Sequence, residues 1–152
     1  MIISNCMKRI VHSISPATTI RQAAETFVKY HIGTLPVVDP DGKLVGILQI
    51  RDLVSLVMPD FVNLMQDFDF VIDFGAAEFR KPDHELLVTP ISAVMQPPIS
   101  VEGDSGLLRA SALFKKHHLS DLPVVDENER LIGIASLVDI GTAFLARWEE
   151  NG

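Results

Sequence analysis

The nine residues His31-Ile-Gly-Thr-Leu-Pro-Val-Val-Asp39 recur, with three changes, as His118-Leu-Ser-Asp-Leu-Pro-Val-Val-Asp126. At the same offset of 87 residues, 10 of the 22 positions between 31–52 and 118–139 are identical. This period is longer than the roughly 20 to 50 residues of a solenoid repeat. We therefore predict two copies of one small unit, separated by an insertion.

The residues before the first motif have the apolar spacing of a helix. One face is formed at i, i+3, i+4, i+7 and i+8 by Ile20, Ala23, Ala24, Phe27 and Val28. Thr18 or Thr19 is placed to cap the start of this helix, and Gly33 to end it. In the second copy the corresponding face consists of Leu107, Ala110, Ser111 and Phe114.

The residues after each helix predict a hairpin and a closing helix. In the first copy these are strands at 35–38 and 44–50, joined by the turn Pro40-Asp-Gly42, and a helix at 52–58. In the second copy we expect strands at 122–125 and 131–137 and a helix at about 139–148. Because short extended pieces at 11–15 and 99–102 precede the first helices, each unit is predicted to be β-α-β-β-α.

These motifs resemble the CBS (cystathionine-β-synthase) domain, and two copies in tandem resemble a Bateman module. The resemblance is carried by Met7 and Ser13-Ile-Ser-Pro16, by both Leu-Pro-Val-Val-Asp motifs, by Gly46-Ile-Leu-Gln-Ile-Arg-Asp52 and Gly133-Ile-Ala-Ser-Leu-Val-Asp139, and by Met95 and Ser100-Val101. It implies an α/β fold in which two repeats related by a pseudo-twofold axis pack sheet to sheet. We predict the first repeat at 1–58, a helical insertion at 59–89, and the second repeat at 90–152.

The resemblance also implies a regulatory ligand that contains adenine, namely AMP, ADP, ATP or S-adenosylmethionine, bound in two clefts between the repeats. Asp139 and Asp52 would hold the ribose hydroxyls, and the residues three positions earlier, Ser136 and Gln49, would face phosphate. The adenine slots would be supplied by Ser13-Ile14, Ser100-Val101, Leu35-Pro36 and Leu122-Pro123. Independently of the resemblance, a carboxylate suits a vicinal diol, and a helix N-terminus offers amide donors to phosphate.

The two predicted sites differ in their residues. The second site has both Ser136 and Asp139, although the carboxylate of Asp121 nearby would repel a phosphate. The first has the larger Gln49, with Arg51 as a compensating cation. Asp52 and Asp139 also have a purely structural interpretation, because aspartate is a common N-cap.

Composition excludes several classes of function. The net charge of −7 disfavours nucleic acid and anionic membranes as partners, and no apolar run reaches the roughly 18 residues of a membrane span. Cys6 is the only cysteine, and the adjacent His117 and His118 are poorly spaced as metal ligands. Since no signal peptide or catalytic motif is recognised, we expect a cytoplasmic protein that is not an enzyme and requires no cofactor or metal.

The insertion is acidic and rich in phenylalanine. Residues 60–85 carry seven acidic and two basic side chains, and 59–89 holds five of the eight Phe. The spacing of Phe61, Leu64, Met65, Phe68 and Ile72 predicts a helix whose apolar face packs on its own chain, on a second copy or on a partner.

These features favour a free-standing sensor that binds its ligand between the repeats and acts in trans on a protein target not identified by the sequence. We also expect a homodimer. Two alternatives remain: a purely structural homodimerisation domain with empty clefts, and an enzyme that uses the cleft but lacks a recognisable acid–base pair.

Overall fold

The structure is a computed structural model that describes residues 1–57 and 82–150. Its elements in chain order are α1 (Ile20–Tyr30), β1 (Thr34–Val38), β2 (Leu44–Gln49), α2 (Ile50–Val57), α3 (His84–Leu87), β3 (Val101–Glu102), α4 (Leu107–His117), β4 (Asp121–Val125), β5 (Leu131–Ser136) and α5 (Leu137–Glu150). Short 3-10 turns lie at Ile3–Asn5 and Ile91–Ala93. The predicted α/β class with two repeats is confirmed. The helix predicted at 61–72 lies outside the described residues.

Each repeat has a small sheet built on an antiparallel hairpin. β1 pairs with β2, while β3, β4 and β5 form a three-stranded sheet in which β3 runs parallel to β4. The strand predicted at 11–15 is reduced to one parallel bridge between Ile14 and Val37. The chain turns towards α1 there, because the amide of Ser15 donates to the hydroxyl of Thr18 instead of extending the ladder.

The two repeats meet through backbone hydrogen bonds that obey a pseudo-twofold relation. The amide of Leu44 donates to the carbonyl of Glu129, and the amide of Leu131 donates to that of Gly42, both at 3.0 Å. Leu44 matches Leu131 in the duplication, and Gly42 matches Glu129. Gly42 and Glu129 both have positive φ, so the two hairpin turns have the same shape despite different residues.

Each core is completed by the segment that precedes the other repeat along the chain. Ile3 is buried in the core of the second repeat, and Ile91 in that of the first. The amide and carbonyl of Lys8 bond to Ile134 in β5, and those of Gln96 bond to Ile47 in β2. The N-terminal segment thus crosses onto the second repeat, and the segment at 91–96 onto the first.

The first helix of each repeat ends on a histidine in the left-handed conformation. His31 (φ 55°) and His118 (φ 52°) occupy the C-caps, and their amides bond to Phe27 and Phe114. The predicted end at Gly33 was wrong: Gly33 lies beyond the cap, packed near the hydroxyl of Ser120. The predicted cap at Thr19 is confirmed, since its hydroxyl accepts from the amide of Gln22.

This helix end gives a testable effect on stability. His118→Gly is expected to stabilise the fold by about 0.5–1 kcal/mol, because glycine adopts positive φ without a Cβ clash. The control is His117→Gly, one residue earlier in α4, which should cost about 1 kcal/mol. Urea unfolding measures both changes, and the assignment of the cap fails if both variants are destabilised equally.

Candidate functional site

The second repeat has a reciprocal cap at the junction of β5 and α5. The amide of Asp139 donates to Ser136 Oγ at 3.0 Å, and the amide of Ser136 donates to Asp139 Oδ2 at 2.9 Å. The helix begins at Leu137, so Ser136 is the N-cap and Asp139 is the third helical residue. The structural interpretation of Asp139 as an N-cap is therefore corrected, because its side chain completes a capping box from inside the first turn.

The first repeat has only half of this arrangement. α2 begins at Ile50, two residues earlier than predicted, and the amide of Gln49 donates to Asp52 Oδ2 at 2.8 Å. Asp52 is therefore also not an N-cap. The side chain of Gln49 is buried, and its Nε2 has no hydrogen-bond partner among the described residues. The first site thus contains a buried, unpaired amide where the second has a bonded hydroxyl.

Each aspartate also bonds to a side chain of the segment that crosses onto its repeat, which is the N-terminal segment for Asp139 and the segment at 91–96 for Asp52. Lys8 Nζ lies 2.7 Å from Asp139 Oδ2, whereas Gln96 Nε2 lies 2.9 Å from both carboxylate oxygens of Asp52. Lys8 and Gln96 each follow a methionine, Met7 or Met95. Neither residue was predicted from the sequence. A signal was present, because Met7-Lys8 and Met95-Gln96 each place a long polar side chain directly after a methionine. The offset between these two pairs is 88 residues, one more than in the rest of the duplication.

A cleft between the repeats opens beside Lys8. It has a volume of about 230 Å³ and is lined by Lys8, Ile10, Val11, His12, Ile32, Thr34, Asp121 and Ile134. A neighbouring cavity of about 220 Å³ shares Val11 and includes Arg9, Ser13 and Ile132. Apolar walls with a few convergent polar groups are typical of small-molecule sites.

The predicted adenine-slot residues are not gathered around this cleft. Ser13 lines the neighbouring cavity, while Ser100 and Val101 line a separate polar cavity of about 600 Å³ in the second repeat. The remaining residues, Ile14, Leu35, Pro36, Leu122 and Pro123, are buried. The structure thus bonds Asp139, which is also bonded to Ser136, to Lys8 in the segment before α1, and neither Asp139 nor Ser136 lines the cavity that contains Ser100 and Val101.

Two further charged residues make contacts between the repeats. Arg51 Nη2 donates to the carbonyl of His117 at 3.4 Å, at the C-terminal end of α4, where a cation is favoured. Asp121 Oδ2 accepts from the hydroxyls of Thr34 and Ser120, at 3.1 and 3.0 Å. Asp121 therefore tethers β1 to β4 in addition to placing a negative charge beside the cleft.

The contacts of Asp139 lower its pKa. Partial burial raises the pKa of this carboxyl group, but the hydrogen bonds from Lys8 and Ser136 outweigh burial and place it below the ordinary value of 3.8. The same carboxylate, together with burial as the larger cause, raises the pKa of the Cys6 thiol. A raised pKa lowers the fraction of thiolate, which disfavours a nucleophilic role for Cys6.

The lowered pKa gives a pH-dependent prediction. A carboxylate whose pKa falls on folding stabilises the protein above its unfolded pKa, and this stabilisation is lost as pH falls through the folded pKa. We expect Asp139→Asn to reduce the free energy of unfolding at neutral pH, and this difference to shrink below pH 3.8. Denaturant unfolding across this range measures it. A difference of equal size at neutral and strongly acidic pH would contradict the assigned contacts.

The fold and the site together define a tandem-repeat α/β module with a cleft between its repeats. The family model for the CBS domain matches residues 3–59 and 91–145, and the chain belongs to that family. No helix among the described residues is long and apolar enough to span a membrane, and these residues contain no cluster of three or more metal-ligating side chains.

Several known proteins are similar over nearly the whole chain. A CBS domain-containing protein of Dictyostelium discoideum is 29% identical over 92% of this chain and 88% of its own length. The crystal structure of CBSX2 in complex with AMP has a TM-score of 0.71 and 25% identity, and covers 95% of this chain and 96% of that chain. The homoserine O-acetyltransferase of Methanosarcina acetivorans is 27% identical over 95% of this chain, which spans only 22% of that enzyme.

Proposed function

We propose that this chain is a non-catalytic regulatory module that binds an adenine-containing ligand in the cleft beside Lys8 and acts in trans on a partner protein. The observation that carries the proposal is that Asp139 is bonded both to Ser136 and to Lys8 at the N-terminal end of α5, and that Lys8 in turn lines an apolar cleft. A carboxylate suits a ribose diol, an apolar slot suits an adenine ring, and a helix N-terminus suits a phosphate.

The relatives support the proposal in two ways. CBSX2, which has nearly the same extent as this chain, was crystallised with AMP. The acetyltransferase matches over only about a fifth of its length, so its reaction gives no reason to assign catalysis to this module. Binding would act on a partner by favouring one arrangement of the repeats over another.

Titration calorimetry on the full chain tests the proposal. AMP, ADP, ATP and S-adenosylmethionine are titrated separately, and we expect saturable binding of at least one. The result that would overturn the proposal is the absence of binding by all four at millimolar concentration. A cytoplasmic location, and the absence of nucleic-acid and membrane partners, remain predictions from the sequence.

Homodimerisation is supported by a different observation. α5 exposes a run of large apolar side chains, namely Leu137, Val138, Phe144, Leu145 and Trp148. Trp148 is 74% exposed in the single chain, and large apolar patches on soluble proteins mark contact surfaces. We therefore propose that α5 contributes to a homodimer.

Light scattering should show a dimeric mass for the wild type and a monomeric mass for Trp148→Glu, whereas a wild-type monomer would exclude the dimer.

A further inference from the structure

The two aspartates that occupy matching places in the repeats have partners of different charge. Asp139 is bonded to the ammonium of Lys8, and Asp52 to the neutral amide of Gln96. The negative charge of Asp139 is therefore balanced by its partner Lys8, whereas that of Asp52 is not balanced by its partner Gln96. A ligand approaching Asp139 meets a cation bonded to the carboxylate, whereas the cation nearest Asp52 in sequence, Arg51, is bonded to the carbonyl of His117.

Lys8 is placed to exchange partners when a ligand arrives. Its side chain is 59% exposed, whereas that of Asp139 is 18% exposed. The backbone of Lys8 is held by two hydrogen bonds to Ile134, so the ammonium can swing on its four-carbon stem while the segment stays in place. A ribose diol that replaced the ammonium at Asp139 would leave the Lys8 ammonium to turn towards a group on the 5′ carbon.

Together with Lys8, the charged side chains that line the cleft and the neighbouring cavity are two cations and one carboxylate. Arg9 lines the neighbouring cavity and adds a second cation. Asp121 adds a carboxylate, but its Oδ2 is engaged by the hydroxyls of Thr34 and Ser120. His12 lines the cleft with its ring stacked on Tyr30, at 3.6 Å between centroids, and so supplies a rigid wall.

We propose that Lys8 determines the ligand class of this cleft, which takes an adenosine bearing a 5′-phosphate in preference to one with an uncharged or cationic 5′ group. The inference rests on the proposed function and extends it to the choice of ligand and of cleft. The Asp52 site, with Gln96 in place of the lysine, does not share this preference. We therefore expect one molecule of AMP per chain.

The experiment compares the dissociation constants of AMP and unphosphorylated adenosine for the full chain by calorimetry. Lys8→Gln gives the second site the amide found at the first, and should weaken AMP about tenfold or more while changing adenosine less than about threefold. Lys8→Arg keeps the charge and should preserve the preference for AMP. Lys116→Gln removes an exposed lysine on α4 and controls for net charge.

Each outcome bears on a different claim. If the wild type binds neither compound, this inference fails, and the proposed function fails with it only if ADP, ATP and S-adenosylmethionine do not bind either. If the wild type binds AMP but Lys8→Gln leaves the AMP-to-adenosine ratio unchanged, the proposed function stands and the role of Lys8 is overturned. An equal loss of both compounds in Lys8→Gln also overturns it, because a residue that only orients Asp139 would affect both alike.

Discussion

Gly133→Ala is expected to destabilise the fold by about 1–3 kcal/mol, because this glycine lies where the N-terminal segment crosses β5. A Cβ at this position would lie 2.9 Å from the carbonyl oxygen of Lys8 and would also collide with the Met7 thioether. The thioether is flexible, but the Lys8 carbonyl is fixed by its bond to the amide of Ile134. To relieve this clash, the N-terminal segment has to move away from β5. That movement weakens its contact with the core of the second repeat.

The matched control makes the same chemical change on α5. A Cβ added at Gly141 would meet no atom of the described residues within 4 Å, and this glycine lies in mid-helix, so Gly141→Ala should stabilise the protein by up to about 1 kcal/mol. Thermal or urea unfolding of the two variants should therefore give shifts of opposite sign. Equal shifts would show that the crossing segment does not pack on β5 as described.

Asp139→Asn is expected to weaken the binding of AMP by about 10- to 100-fold, the largest effect on ligand affinity that the site predicts. Asparagine keeps a side-chain oxygen that can accept from the amide of Ser136, so the cap of α5 is retained in part. The amide cannot provide two charged acceptor oxygens to a ribose diol. The loss should therefore appear in affinity more than in fold.

Calorimetry with AMP measures this loss, and Asp41→Asn is its control. Asp41 lies exposed in the turn between β1 and β2, so its replacement removes one negative charge away from the cleft. We expect AMP to bind this control with wild-type affinity. If Asp139→Asn also binds AMP like the wild type, the carboxylate does not contact the ligand.

Most of the repeat architecture could be predicted from local patterns. The apolar spacing from Ile20 to Val28 indicated α1, because a helix repeats every 3.6 residues, and Pro40-Asp-Gly42 indicated the turn of the first hairpin. The predicted end of α1 was wrong because glycine is the usual left-handed residue after a helix. Here His31 takes that conformation, and a hydrogen bond to Phe27 closes the last turn.

The candidate site was only partly predictable, because half of it depends on contacts between distant residues. Ser136 and Asp139 are three positions apart, and their relation can be read from the sequence. Lys8 reaches Asp139 across 131 residues, and no periodicity specifies that the N-terminal segment crosses onto the second repeat. The adenine-slot role given to Leu35 and Leu122 met a related difficulty: an apolar residue of a strand motif can line a cleft or fill a core, only the packing decides, and both residues are fully buried.

A crystal structure of the full chain grown with saturating AMP tests the central claim most directly. We predict one AMP per chain in the cleft lined by Lys8, Val11 and Ile134, with the ribose hydroxyls on Asp139 and the phosphate beside Lys8. AMP bound elsewhere, or an empty cleft at a concentration where calorimetry shows saturation, would contradict it.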